Sequence, residues 1–413
     1  MLDAVGAKAN PTREHDLEPF RVLATCGGFV PGHRYGGPVR SLVQIVESIS
    51  ESIDLTLVTR DRDLATPTPY PGLSGRWVMQ SGARVFYLTV SRAGQWRQLR
   101  REFRDTSFDL LYVNSLFSMF SLVPIIAARL GVLRVSRILV APRGELSPGS
   151  LSLKRRKKQV FLRFWLPLLR TLGVVWHATS DREAESIRRA CPWAQIEINR
   201  SQVSLPYEPL PPGPVAPGPA RLVFISRISP EKNLILVLRA LQQVSTPMDL
   251  DIYGPMENVG YWEKCQNLFA RLPTTVQVRY CGELAADEVR STFARYDAFV
   301  FPTLGENFGH VIAESLSASC PVICSDQTPW TDLLTAGGGA VLKRLTVDDL
   351  AGQLERFAAL DQVARAHARR AAGDAYRSWR RRVDGPNILE QARRASWVRP
   401  GDPIHPSCCG ADS

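Results

Sequence analysis

The residues of this 413-residue chain best suited to chemistry lie in Pro302-Thr303-Leu304-Gly305-Glu306-Asn307-Phe308-Gly309-His310-Val311-Ile312-Ala313-Glu314, where two carboxylates stand eight positions apart. Tyr296 to Phe301, an apolar run rich in aromatics and ended by Pro302, reads as a buried strand. Val311, Ile312, Ser315 and Leu316 then follow helical spacing, so Gly309 or His310 should open a helix. A helix N-terminus at the carboxyl end of a strand presents unpaired N–H groups and the positive end of the helix dipole. That is an anion site suited to a diphosphate. The amides near Phe308, Gly309 and His310, with Asn307 beside them, are the candidate donors. Glu306 should lie beside the anion and Glu314 about a turn and a half deeper. Neither carboxylate helps to bind phosphate, but both suit sugar hydroxyls. Taken alone, each is equally well an ordinary solvated acid.

Leu222-Val223-Phe224-Ile225-Ser226-Arg227-Ile228-Ser229-Pro230-Glu231-Lys232-Asn233-Leu234 reads as strand, turn and helix start, with Arg227 and Lys232 five apart. A lysine in a first helical turn opposes the dipole and so gains from a bound anion. Two further segments are His177-Ala178-Thr179-Ser180 followed by Glu183, and Ser325-Asp326-Gln327-Thr328-Pro329-Trp330. Together with the Glu-x7-Glu stretch, and in this order, they resemble family-4 retaining glycosyltransferases of the GT-B fold, of the bacterial surface-polysaccharide type. The likeness spans roughly residues 20 to 390.

The resemblance implies an α/β, GT-B protein, with two Rossmann-like doubly wound domains facing across a cleft. It implies retaining transfer of a sugar from a nucleotide-diphosphate sugar to a saccharide acceptor, polyprenyl-linked, in cell-surface polysaccharide biosynthesis. By the same resemblance Arg227 and Lys232 neutralise the leaving diphosphate, Glu306 contacts the donor sugar near its reacting face, and Glu314 holds the ribose hydroxyls. Asn307, Phe308, Gly309, His310, Gly36 and Gly37 would line the donor site. The nucleotide-sugar is a co-substrate, and no cofactor is implied. A nucleotide-sugar epimerase, a phosphorylase, or a catalytically silent membrane-associated scaffold are the alternatives. The full set Arg227, Lys232, Glu306 and Glu314 argues against the scaffold.

Two departures from the family matter. In Ala141-Pro142-Arg143-Gly144-Glu145-Leu146 some relatives carry histidine where Arg143 stands. An arginine cannot shuttle protons but can bind an anion or a sugar hydroxyl. Arg143 and His177 are therefore candidate acceptor or anion contacts. Ser319 stands where relatives usually have glycine, and a left-handed backbone there would cost about 1 kcal/mol. Asp61-Arg62-Asp63 has the form of a metal-binding triplet, but it follows a first-domain strand, away from the donor motifs, and reads as a loop. No metal is expected, so Arg227, Lys232 and the helix N-terminus must offset the phosphate charge.

The elements that hold these residues alternate strand and helix, which argues for parallel sheets covered on both faces. Candidate strands are Phe20–Thr25, Leu55–Thr59, Arg84–Thr89, Asp109–Val113, Arg137–Ala141, Val174–Ala178 and a seventh near Val203, in a domain over 19–205. The dense Pro/Gly run 206–219 is a linker. Arg221–Ser226, Asp249–Tyr253, Val276–Tyr280, Ala298–Phe301 and Val322–Ser325 build a second domain over 220–375, and a crossover helix near 376–395 returns to the first. Gly27 to Pro38, rich in glycine, leads into a helix through Val39, Leu42, Val43 and Val46. Residues 1–18 should be a disordered leader with no signal peptide, and 398–413 a disordered tail. The eight cysteines lack zinc-ligand spacing and read as reduced core thiols.

The net charge is +11 and the sequence pI about 9.5. No aromatic-interleaved basic stripe or helix-turn-helix accompanies it, which excludes nucleic acid as the expected partner. Lys154-Arg155-Arg156-Lys157-Lys158 followed by Val160, Phe161, Leu162, Phe164, Trp165, Leu166, Leu168 and Leu169 fits either an anionic membrane surface or a core helix with a solvated first turn. The Arg365–Arg382 block reads as a solvated helix face. With no apolar run of 18 residues, the expected location is the cytoplasm, peripheral to the inner face of the cell membrane.

Overall fold

A computed structural model of the protein describes residues 18–397, apart from 33, 65, 153–154, 201–202, 384 and 396. Residues 1–17 of the leader expected over 1–18, the tail over 398–413, Lys154, Cys408 and Cys409 lie outside the described residues.

The first domain is an eight-stranded sheet of β1 (Phe20–Cys26), β2 (Ile53–Arg60), β3 (Trp77–Gln80), β4 (Ala83–Leu88), β5 (Ser107–Asn114), β6 (Arg134–Ala141), β7 (Val175–Ala178) and β8 (Gln195–Ile198). Their spatial order is β3-β4-β2-β1-β5-β6-β7-β8. The second domain is a six-stranded sheet of β9 (Ala220–Ile225), β10 (Met248–Tyr253), β11 (Val276–Tyr280), β12 (Ala298–Phe301), β13 (Val322–Ser325) and β14 (Gly339–Leu342), ordered β11-β10-β9-β12-β13-β14. Ladders are parallel except the β3–β4 hairpin. Apolar runs such as Ala-Phe-Val-Phe in β12, buried at all four positions, are what a sheet covered on both faces requires. Strand order reverses between β1 and β5 and again between β9 and β12. Ligands of open α/β sheets bind outside the carboxyl ends of the strands at such points.

Several expectations are corrected here. The strand expected near Val203 is instead β8, a half-buried edge strand with alternating polar residues, whereas Val203 lies in a loop and is buried in the second domain's core. The hairpin strand β3 and the glycine-led β14 were not foreseen. The crossover is two helices rather than one. Gln362–Val383 lays Ala372 and Tyr376 on the second core, and Ile388–Arg394 inserts Ile388, Leu389 and Ala392 into the first. Pro386 breaks the run, and Asn387 caps the new helix by accepting from Leu389 N and Glu390 N.

The Arg365–Arg382 face is not uniformly solvated. Arg365 and Arg369 are buried and donate to backbone carbonyls, among them those of linker residues Gly218 and Gly213. Buried guanidinium groups of this kind satisfy carbonyls of a segment, 206–219, that forms neither helix nor strand. Among the cysteines, Cys26, Cys191, Cys265, Cys320 and Cys324 are buried and free, but Cys281 is exposed.

Candidate functional site

Three loops at the carboxyl ends of β9, β12 and β13 are stitched together. Leu304 N donates to Glu231 C=O (2.8 Å), Asn233 Nδ2 to Pro302 C=O (3.1 Å), Ser325 Oγ to Thr303 C=O (2.6 Å) and Glu306 N to Gln327 C=O (3.0 Å). This frame brings Lys232 Nζ to 2.5 Å from Glu306 Oε1, with the ammonium 5.8 Å from the centre of the Phe301 ring. Lys232 is only 7% exposed. Its buried charge has Glu306 as counter-ion. Arg227 points elsewhere, with Nη1 at 2.8 Å from both carboxylate oxygens of Glu257. Arg227 and Lys232 thus do not converge on one point here.

Two helices confront each other across the cleft. Gly37–Glu47 begins after Gly36, whose φ of 67° favours glycine, and His310–Ser317 begins after Gly309, with φ 82°. A Cβ on Gly37 would lie 3.3 Å from the His310 ring, so the approach depends on the glycine. Ser41 Oγ shares a 2.8 Å hydrogen bond with His310 Nε2, and Arg40 Nη1 pairs with Glu314 Oε1. Burial raises the Glu314 carboxyl above its ordinary range, partly offset by the Arg40 guanidinium. Burial, and then Arg40 and Arg143, push the His310 imidazole down to about 3, leaving it neutral. The opposed N-termini add two positive dipole ends to one volume.

Trp330 Nε1 donates to Phe308 C=O (2.5 Å), and Trp330 packs against Trp379 of the Gln362–Val383 helix at 4.8 Å. Pinning that carbonyl turns the Gly309 N–H of the same trans peptide the opposite way. A second clasp runs through Glu183. Its Oε1 accepts from Gly144 N (2.7 Å), and its Oε2 accepts from Thr179 N (2.8 Å) and Asn307 Nδ2 (3.1 Å). Arg182 donates to Asp326 C=O and Gln327 Oε1 of the second domain.

Residues 212–374 match the family model described as Glycosyl transferases group 1. The C-terminal domain is a glycosyl transferases group 1 domain. The O-antigen chain mannosyltransferase B of Escherichia coli is 29% identical over 120 residues, covering 28% of this chain and 31% of that protein, so the match spans under a third of the relative's length. Anabaena HepE in complex with UDP and glucose is similar over 91% of this chain and 99% of its own, at 17% identity and TM-score 0.67. Sucrose-phosphate synthase from Thermosynechococcus elongatus is similar over 90% of this chain and 97% of its own, at 14% identity and TM-score 0.67. These likenesses establish the fold, which is GT-B.

The group 1 domain thus carries Arg227, Lys232, Glu306, Asn307, Phe308, Gly309, His310 and Glu314 around one cleft wall, and Gly36 and Gly37 stand opposite. His177 does not reach the cleft. It is 2% exposed, and burial and Arg143 lower its imidazole to about 3. Nε2 must carry the proton, because it faces Asn199 C=O (3.1 Å), so Nδ1 accepts from Tyr112 O–H (2.9 Å). The Tyr112 oxygen in turn accepts from Arg143 Nη2 (2.8 Å). His177 anchors Arg143 and touches no ligand volume.

Ser319 has the left-handed φ of 54°, with its hydroxyl donating to Leu210 C=O (2.5 Å). The Asp61 and Asp63 carboxylates are occupied: Asp61 accepts from Thr89, Ser74 and Arg62, and Asp63 from Arg34 N and Leu64 N. The triplet shapes its loop. Arg40 and Ser41 are site residues that sequence reasoning missed, and Thr179, Glu183 and Trp330 entered it only within the segments that carry the resemblance. Ser180 caps the Asp181–Ala190 helix by accepting from Glu183 N, at capping-box spacing.

The Arg155–Thr171 helix divides between the two readings of its sequence. Trp165 and Leu169 are core, and Phe161 packs on Phe117 and Trp165. Val160 is 61% and Phe164 72% exposed, beside exposed Arg155, Arg156, Lys157 and Arg163. Among the described residues no helix is long and apolar enough to cross a membrane.

Proposed function

We propose that the protein is a retaining glycosyltransferase that moves a sugar from a nucleotide-diphosphate sugar to a saccharide acceptor, lipid-linked, in cell-surface polysaccharide biosynthesis. The observation that carries the reading is the buried Lys232–Glu306 pair at the head of a strand-loop-helix unit whose N-terminus faces a second helix N-terminus. A group 1 domain over 212–374 and a neighbour solved with UDP and glucose support the nucleotide-sugar donor. The O-antigen mannosyltransferase relative supports a surface-polysaccharide role.

In this mechanism the diphosphate lies between the two helix N-termini. Lys232 exchanges Glu306 for the phosphate, and Arg227 swings from Glu257 to the same group, so that both offset charge as the glycosidic bond breaks. Glu306, released from the lysine, contacts the donor sugar near its reacting face. Glu314 holds the ribose hydroxyls once Arg40 yields it. The acceptor hydroxyl arrives on the face the diphosphate leaves, at an oxocarbenium-like centre. His310, neutral and bonded to Ser41, positions rather than carries a proton. No metal is invoked.

Arg155, Arg156, Lys157, Val160 and Phe164 form a basic and apolar patch that would hold the first domain at the inner face of the cell membrane, where a polyprenyl-linked acceptor lies. Nucleotide release from a panel of nucleotide-sugars tests the donor half of the proposal. Wild type should consume at least one of them. Arg227→Ala should lower that turnover on the order of 10²-fold, and wild-type rates in that variant would contradict the assignment.

A further inference from the structure

Arg143 follows β6 at the carboxyl edge of the first sheet, beside the end of β5 at Asn114, which is the switch point of that sheet. Its backbone is left-handed, with φ 52°, an arrangement a bulky residue adopts at a cost and that clusters at ligand sites. The guanidinium is pinned through two of its three nitrogens. Nε and Nη2 donate to Asn114 Oδ1 (3.2 and 2.8 Å), and Nη2 also donates to Tyr112 Oη (2.8 Å). All of these partners are neutral, and among the described residues no carboxylate lies within ion-pair distance of Arg143. Its Nη1 has no acceptor among them.

Asn114 completes the picture. It is 7% exposed, and its Nδ2 is buried without any partner. The amide cannot be turned round, because the atom facing two guanidinium N–H groups must be an acceptor. Nδ2 is therefore a buried, unpartnered donor on the amide that holds an unneutralised cation. Buried donors are almost always satisfied, and the exceptions call for a missing partner. Across the cleft, Gly144 touches Asn307 of the signature loop, since a Cβ on Gly144 would lie 3.2 Å from the Asn307 Cβ.

We propose that Arg143 Nη1 and Asn114 Nδ2 form an anion subsite in the first domain, and that the acceptor saccharide brings a phosphate or carboxylate group to it. That the anion belongs to an acceptor rests on the glycosyl-transfer reading, whereas the subsite itself does not. The free guanidinium nitrogen and the orphan amide N–H are donors suited to the oxygens of such a group. The donor diphosphate belongs to the opposite wall, at Lys232.

The test is isothermal titration of the full chain with glucose 6-phosphate, glucuronate and neutral glucose. In parallel, nucleotide-sugar turnover is measured. The first variant is Asn114→Asp, which keeps Arg143 pinned, as an ion pair, while placing an oxygen where the orphan N–H was. The second is Arg143→Met, which removes the cation and covers the case of a misfolded first variant. Wild type should bind one of the two acids and not glucose. The preferred acid identifies phosphate or carboxylate as the group. Each variant should weaken that binding on the order of tenfold or more, because a charge-assisted contact is lost. Wild-type affinity in both variants, or equal binding of glucose, overturns the proposal. If anion binding fails while nucleotide-sugar turnover persists, the transferase reading stands. If the anion binds but no nucleotide-sugar is consumed, the subsite stands and its ligand is not an acceptor.

Discussion

Replacing Lys232 by methionine should cost both stability and turnover, and the two losses can be separated. Lys232 is 7% exposed, and its ammonium lies 2.5 Å from Glu306 Oε1. Removing one partner of a buried pair leaves an uncompensated charge, at a cost of about 3–5 kcal/mol. Lys232→Met alone should therefore destabilise the second domain by about that amount. Glu306→Gln alone should cost less, because the ammonium keeps the Phe301 ring face 5.8 Å away. The double variant Lys232→Met/Glu306→Gln has no buried charge and should recover most of the loss, giving a coupling of about 2 kcal/mol or more. Turnover should not recover. Any variant without Lys232 should run on the order of 10²-fold slower, since charge on the leaving diphosphate grows toward the transition state. The assay is a urea titration of all four proteins, followed by tryptophan fluorescence from Trp262, Trp330 and Trp379, alongside nucleotide release. Additive stability losses within about 0.5 kcal/mol would show the pair to be uncoupled. A double variant that regains turnover would refute the lysine's role outright.

Further outcomes follow from the same geometry. His177 and His310 sit near 3 in the folded protein against an ordinary 6.5, so the unfolded chain binds more protons below pH 6.5 and stability must fall as pH drops. Between pH 7 and 5 the loss should be about 2 kcal/mol for each histidine, read as a lower urea midpoint, and a flat profile would place both rings in water. Activity should survive EDTA, because the Asp61 and Asp63 carboxylates already accept from neighbouring residues; complete loss restored by added metal would reopen them as ligands. Binding to anionic vesicles at low salt should weaken with salt and on neutralising Arg155, Arg156 and Lys157, by about 1 kcal/mol for each charge removed. Wild-type protein that ignores such vesicles would leave Val160 and Phe164 without a membrane role.

The second domain was the more legible half. Its strands β9, β12 and β13 are short apolar runs ended by serine or proline, and each is followed at once by a loop that carries chemistry. Glu306 and His310 could therefore be set beside a helix N-terminus from spacing, whereas the roles given to Lys232 and Glu306 came with the family resemblance. The closure of the cleft was not legible. Arg40 meets Glu314, Ser41 meets His310, and Asn307 meets Glu183, contacts separated by 274, 269 and 124 positions that no local pattern encodes. Buried arginines misled in the same way. Arg365 and Arg369 look like a solvated face until the linker's unpaired carbonyls are brought to them. His177, with two neutral partners waiting in the fold, looked free because those partners sit on β5 and after β8.

The most direct test of the central claim is mass spectrometry of products after the protein is incubated with a panel of nucleotide-sugars and membrane extract. The account predicts a lipid-extractable saccharide heavier by one sugar residue, its new linkage keeping the anomeric configuration of the donor. It also predicts free nucleoside diphosphate in equal amount, with both products formed on the order of 10²-fold more slowly by Lys232→Met. An inverted linkage would contradict the retaining assignment, and label exchange within the nucleotide-sugar without release of nucleotide would contradict glycosyl transfer itself.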